Sequence, residues 1–126
     1  MTWIYVGIAG SFGALARYGV SFLWLPDEEL AFPWGTLICN YGGSFFICLL
    51  AYGSTPRMNP SLRLAIMVGF LGSFTTFSAF SYEMLTMLQH EQELLALGYL
   101  MSSMCGGVLF AWLGYRMAVY SSPKGV

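Results

Sequence analysis

The sequence predicts an all-α integral membrane protein of four transmembrane helices, the third of them broken near its middle. Three observations carry that prediction. Hydrophobic residues make up 57% of the 126 and charged residues only 9%, against roughly 25% charged in a soluble globular domain. The apolar residues fall into four long runs with short polar turns between them, and a bilayer core takes about 20 apolar residues per helix. The third run also carries glycine and hydroxyl residues at the depth where lipid tails favour leucine, isoleucine and valine.

The first span is expected from about Trp3 to Leu25, closed by Pro26-Asp27-Glu28-Glu29, a helix breaker followed by three charges. It lacks the charged leader of a signal peptide and is too long for a signal's apolar stretch. The second span starts near Pro33, a good first-turn residue, and runs to about Gly53. After the polar turn from Ser54 to Pro60, the third covers about Ser61 to Leu88. Its centre, Gly69-Phe70-Leu71-Gly72-Ser73-Phe74-Thr75-Thr76-Phe77-Ser78-Ala79-Phe80-Ser81, is where the break is expected. The fourth spans about Leu94 to Tyr120, and the four together form a single domain over residues 1–126.

Short loops make sequential helices neighbours, and small residues recur where close packing needs them. On the fourth span Gly98, Ser102 and Gly106 form one stripe and Ser103, Gly107 and Ala111 the next; Gly7, Gly10, Gly13 and Ala14 invite the same reading on the first. Cys39, Cys48 and Cys105 sit in apolar runs without metal-ligand spacing and read as small buried hydrophobes. Four spans place the N-terminus, the second loop and the C-terminus on one side, which holds Arg57, Arg63, Arg116 and Lys124, while the opposite loops hold no Lys or Arg. By the positive-inside rule both termini face the cytoplasm. No basic face is dense enough for nucleic acid, which excludes that class of partner.

Polar groups inside a bilayer are costly and need an account. Arg17 lies too deep in the first span for easy snorkelling, so it faces protein or a wet vestibule, either bonding helix-end carbonyls or attracting an anion. Asn40, near the middle of the second span, is either a bridge between helices or a pore-lining donor. At the third-span cluster, freed backbone groups must find partners inside the protein, and a cation held by carbonyls is one solution. Beyond it, Phe77 and Phe80 share a helix face. Such stripes are usually core, but a ring edge is the positive end of its quadrupole and can face a small anion.

Gly72-Ser73-Phe74-Thr75-Thr76-Phe77-Ser78-Ala79-Phe80-Ser81-Tyr82-Glu83, with Gly35-Thr36-Leu37 and Asn40 upstream and Gly13-Ala14 and Arg17-Tyr18 in the first span, resembles the CrcB/Fluc family of fluoride channels over essentially the whole chain. The resemblance implies an antiparallel, inverted-topology dimer with a central sodium ion held by backbone carbonyls and two narrow fluoride pores in the cell membrane. It implies that Gly72 and Thr75 supply the sodium-binding carbonyls and that Phe77 and Phe80 are the pore phenylalanines. Asn40 is then the donor near the fluoride path, Ser78 its hydroxyl companion, Arg17 the vestibule arginine, and Glu83 the acidic residue after the motif.

The sequence departs from that family's pattern in three places. Ala79 stands where a hydroxyl residue is usual, and so do Gly107 and Ala111 in the fourth span. The one-sided distribution of Lys and Arg also differs from the weak bias of dual-topology chains, and a subunit with one fixed orientation cannot form an antiparallel pair with itself. Pairing with an oppositely oriented paralogue is therefore expected, with the homodimer as the alternative. The rival function is a small multidrug-type four-helix transporter, which wants an acidic residue in the first span where this chain has Arg17. A structural or assembly protein of the membrane leaves the polar cluster unexplained. An enzyme is not expected, since His90 stands alone in a loop and no nucleophile, metal set or phosphate loop accompanies it.

Overall fold

A computed structural model describes residues 1–23, 32–54 and 58–121. Among these, continuous helices run Thr2–Leu23, Trp34–Tyr52 and Glu93–Ser121, and a third span, Pro60–Gln89, lies between the last two. All four are long and apolar enough to cross a membrane. The end of the first span beyond Leu23, the Pro26-Asp27-Glu28-Glu29 turn, Arg57 and Lys124 lie outside the described residues.

The turn from the second to the third span is tied by side chains to helix-end backbone. Arg63 Nη2 donates to the carbonyls of Leu50 (2.7 Å) and Ala51 (2.8 Å), filling acceptors that the end of the second helix leaves open. Asn59 Oδ1 accepts from the Ser61 N–H at 2.9 Å, with Pro60 in the first turn, so the third span starts on a side-chain cap.

The third span is built in pieces. Pro60–Leu64 is α-helical, Ala65–Leu71 widens into a π-helix, and one more α turn covers Gly72–Phe74. Thr75 (φ −83°, ψ 154°) and Thr76 (φ −152°, ψ 125°) are then extended. The helix restarts as Phe77–Gln89, capped by Thr76 Oγ1, which accepts from the Ala79 N–H at 3.2 Å. The glycines do not form the break itself. Gly69 lies in the π-helix and faces the first helix, where a Cβ would press on the Val6 carbonyl, and a Cβ at Gly13 opposite would press on the Phe70 carbonyl. These two positions let the backbones of the first helix and third span touch.

The second helix packs mainly on the fourth, through rings over small residues. Tyr41 covers Gly106 and donates its hydroxyl to the Ser102 carbonyl at 2.5 Å, and Gly114 receives the Phe45 carbonyl. Ser102 and Gly106 of the expected stripes take part in this packing, whereas a Cβ at Gly98 or Gly107 meets nothing within 4 Å among the described residues. The buried core, Leu37, Phe80, Met87, Ala96 and Tyr99, lies between the second helix, the part of the third span after the break, and the fourth helix. The turn into the fourth helix places Glu91 in the left-handed region (φ 60°).

Candidate functional site

One face of the second helix follows the third span across its break. Thr36, Asn40 and Gly43 fall at helical spacing on that face. They meet, in turn, Glu83, Thr76 and Thr75. Asn40 uses both ends of its carboxamide on one residue: Thr76 N–H donates to Asn40 Oδ1 at 2.8 Å, and Asn40 Nδ2 donates to the Thr76 carbonyl at 3.1 Å. Of the two readings open for Asn40, the bridge is therefore present, with one N–H of the amide left over. A Cβ at Gly43 would collide with the Thr75 methyl, so only glycine admits Thr75 against the second helix.

The break releases backbone acceptors, and some of them find side chains. Arg17 Nε donates to the Ser73 carbonyl at 3.1 Å, which makes Arg17 a donor to helix-end backbone within the protein. The Leu71 carbonyl accepts from both the N–H and the hydroxyl of Thr75, each at 3.0 Å. The N–H that would close the α-helix onto Gly72 belongs to Thr76, and it goes to Asn40 instead. Among the described residues, the carbonyls of Gly72 and Thr75 accept no hydrogen bond. Two free backbone carbonyls at a helix break are hard oxygen donors of the kind that coordinate small cations. No His, Cys, Asp or Glu cluster able to hold a metal occurs among the described residues.

A groove of about 430 Å³ opens beside the break, lined by Asn40, Gly72, Thr75, Phe77, Phe80 and Ser103 among others. Phe77 is 77% exposed and Phe80 only 9%, yet their ring centroids are 5.7 Å apart. The two phenylalanines are neighbours with unequal surroundings. Ser103 adds a buried hydroxyl without a partner among the described residues. Of the residues expected at a site, five line this groove and three stand outside it: Arg17, Ser78 and Glu83. Ser78 is exposed and pairs with the Thr76 hydroxyl at 3.1 Å.

Glu83 anchors a second polar cluster. Its Oε1 accepts from the Thr36 hydroxyl and its Oε2 from the Tyr99 hydroxyl, both at 2.6 Å. Tyr99 is completely buried and Thr36 nearly so. Phe80 links the clusters, since its ring lines the groove and packs 5.1 Å from the Tyr99 ring. Tyr99 was not singled out from the sequence. The available signal is a hydroxyl inside an apolar run, which needs a buried partner just as Asn40 and Arg17 do.

The chain is similar along nearly its whole length to known proteins. A family model described as CrcB-like protein, Camphor Resistance (CrcB), matches residues 4–115. A protein of Moorella thermoacetica named Fluoride-specific ion channel FluC 2 is 41% identical over 119 residues, covering 94% of this chain and 97% of its own. One of the same name from Geobacillus kaustophilus is 36% identical over 128 residues, covering 100% of this chain and 99% of its own. A Staphylococcus aureus protein named Fluoride-specific ion channel FluC 1 is 39% identical over 119 residues, covering 93% and 96%. With four membrane-length helices and these matches along nearly its whole length, the chain is a multi-pass membrane protein that belongs to the CrcB-like family.

Proposed function

We propose that this chain is a subunit of a passive, fluoride-selective ion channel that exports cytoplasmic fluoride across the cell membrane and so confers fluoride resistance. The observation that carries the reading is the groove at the break, which Asn40, Phe77 and Phe80 line together, in a chain whose relatives are named fluoride channels. Fluoride is small and tightly hydrated, so a selective path replaces water with N–H donors and ring edges and excludes chloride by width. No energy source is needed. Neutral HF crosses membranes and ionises in the more alkaline cytoplasm, and an inside-negative potential drives the trapped anion outward at about 2.3 kcal/mol per charge per 100 mV.

Sodium is the proposed structural cation, with the Gly72 and Thr75 carbonyls as its ligands from this chain. When bound, it neutralises the carbonyl dipoles that the break exposes. An antiparallel dimer accounts for the exposure of Gly72 and Phe77 on the groove face. Arg63 and Arg116 on one end support a fixed orientation with cytoplasmic termini. That orientation favours an oppositely oriented paralogue as partner, and the numbers 1 and 2 in the relatives' names are in keeping with paired chains. Differently tagged copies expressed together decide the pairing, because a conducting dimer built efficiently from this chain alone would exclude the obligate heterodimer.

Fluoride efflux from sodium-containing liposomes tests the function, with chloride as the control anion. The expected result is fast efflux of fluoride without chloride from this chain, alone or with its paralogue. Equal passage of both anions, or none with either composition, would overturn it.

A further inference from the structure

Among the described residues, the backbone of Thr76 is held from one side only. It is extended (φ −152°, ψ 125°), and an extended residue turns its own N–H and C=O to the same side while the preceding C=O and following N–H turn to the other. Asn40 meets the first pair with both ends of its carboxamide. The side chain therefore stands where the backbone of a neighbouring β-strand would stand. The described peptide bonds are trans, so the Thr75 C=O points opposite to the Thr76 N–H. Fixing that N–H fixes the carbonyl's direction, away from the second helix.

The same bond governs Gly72. In an uninterrupted α-helix the Thr76 N–H would donate to the Gly72 carbonyl, four residues back. That closure would consume one acceptor and swing the Thr75 carbonyl toward the helix axis. Asn40 Oδ1 captures the N–H at 2.8 Å and prevents both.

From this geometry we infer that Asn40 is a positioning residue for a cation: by competing with Gly72 for the Thr76 N–H, it keeps the Gly72 carbonyl free and aims the Thr75 carbonyl. The residue that lines the anion groove thus also sets the affinity of the carbonyl pair. Tight cation binding and an intact anion path become two results of one clamp. The inference rests on the proposed sodium site and not on fluoride conduction.

Thermal melting of the detergent-purified protein in a sodium titration at constant ionic strength, without fluoride, tests it. The wild-type melting temperature is expected to rise with sodium. In Asn40→Leu, which has nearly the same shape and no acceptor, and in Asn40→Ser, whose hydroxyl is too short to span both bonds, the sodium midpoint should rise about tenfold, the equivalent of roughly one lost hydrogen bond. Tyr41→Phe is the control, since it removes a bond between the second and fourth helices away from the break. It should lower the melting temperature and leave the sodium midpoint in place. A wild-type midpoint retained within about twofold by a folded Asn40 variant, or no sodium response in the wild type, would overturn the inference. Fluoride plays no part in the readout, so failure of the liposome assay would remove the channel reading while this titration still decides the clamp.

Discussion

The two polar clusters on the second helix differ in what their side chains serve. At the break, Asn40 and Arg17 serve the backbone, supplying partners to Thr76 and Ser73 that a continuous helix would have supplied itself. About one turn earlier on the second helix, Thr36 joins Tyr99 of the fourth in serving another side chain, and Glu83 needs neither of them to keep its helix. The first cluster determines a backbone shape. The second holds an ionisable group among hydroxyls that can trade one acceptor for another. Damage at the first is expected to change structure and cation binding together, and damage at the second to change anion passage with the fold retained.

The sharpest way to break that distinction is Gly43→Ala. The new Cβ meets the Thr75 methyl, so either Thr75 turns its side chain and gives up its hydroxyl bond to the Leu71 carbonyl, or the break and the second helix move apart. Overpacking of this kind costs about 1–3 kcal/mol, and both the sodium response and fluoride efflux should fall. Normal values for both would show that the break does not depend on the second helix. Glu83→Gln comes next. Its amide keeps one acceptor and turns the other position into a donor, so either Thr36 or Tyr99 must accept from the amide and its own O–H loses a buried acceptor, at about 1 kcal/mol or more. Fluoride efflux should drop while the sodium midpoint in the melting assay stays put; a shifted midpoint would merge the two clusters into one.

Tyr99→Phe removes only the donor and preserves the ring against Phe80. A cost of about 1 kcal/mol is expected in a denaturation measurement, with less effect on efflux than Glu83→Gln. Efflux equal to that of Glu83→Gln would mean that the tyrosine hydroxyl, not the carboxylate's charge, is the active part. The smallest effect has the opposite sign. Glu91→Gly relieves a side chain held at φ 60° in the turn beyond both clusters and should stabilise the protein by about 0.5–1 kcal/mol, because glycine takes the left-handed region without steric cost. Unchanged sodium and fluoride responses would make that variant a baseline for the others.

The sequence made the framework legible wherever a physical signal was local. Four apolar runs announced the spans, and Asn59-Pro60 marked the start of the third with a cap and a first-turn proline. The glycine and hydroxyl residues located the disturbance in the third span, but not its form. Nothing in Ala65–Leu71 distinguishes π from α locally, because the widening answers to the first helix pressed against Gly69. Likewise, Arg17 and Asn40 were conspicuous as polar residues at depth, whereas their partners are backbone groups that no residue type reveals. Tyr99 and Thr36 gained significance only when Glu83 was placed between them. The stripes on the fourth span were right at Ser102 and Gly106 and no further, because small residues at four-residue spacing say that something can come close, without saying what. Gly106 and Gly114 received neighbours from the second helix, and Gly98 and Gly107 did not.

The π-helical stretch has a consequence at the level of the gene. Seven residues in that wider coil occupy a length that plain α-helix fills with fewer, so the segment stores slack. Loss of one codon within 65–71 can be taken up by tightening the coil, leaving Thr76 opposite Asn40. Loss of one codon within 77–82 has no such reserve, and it turns every later residue by about 100° about the helix axis, carrying Glu83 away from Thr36. Fluoride efflux from the two deletion proteins should separate them, with the first tolerated far better. Equal loss in both would show that the slack cannot be spent. Length variation in this third span is thus expected to collect on one side of the break.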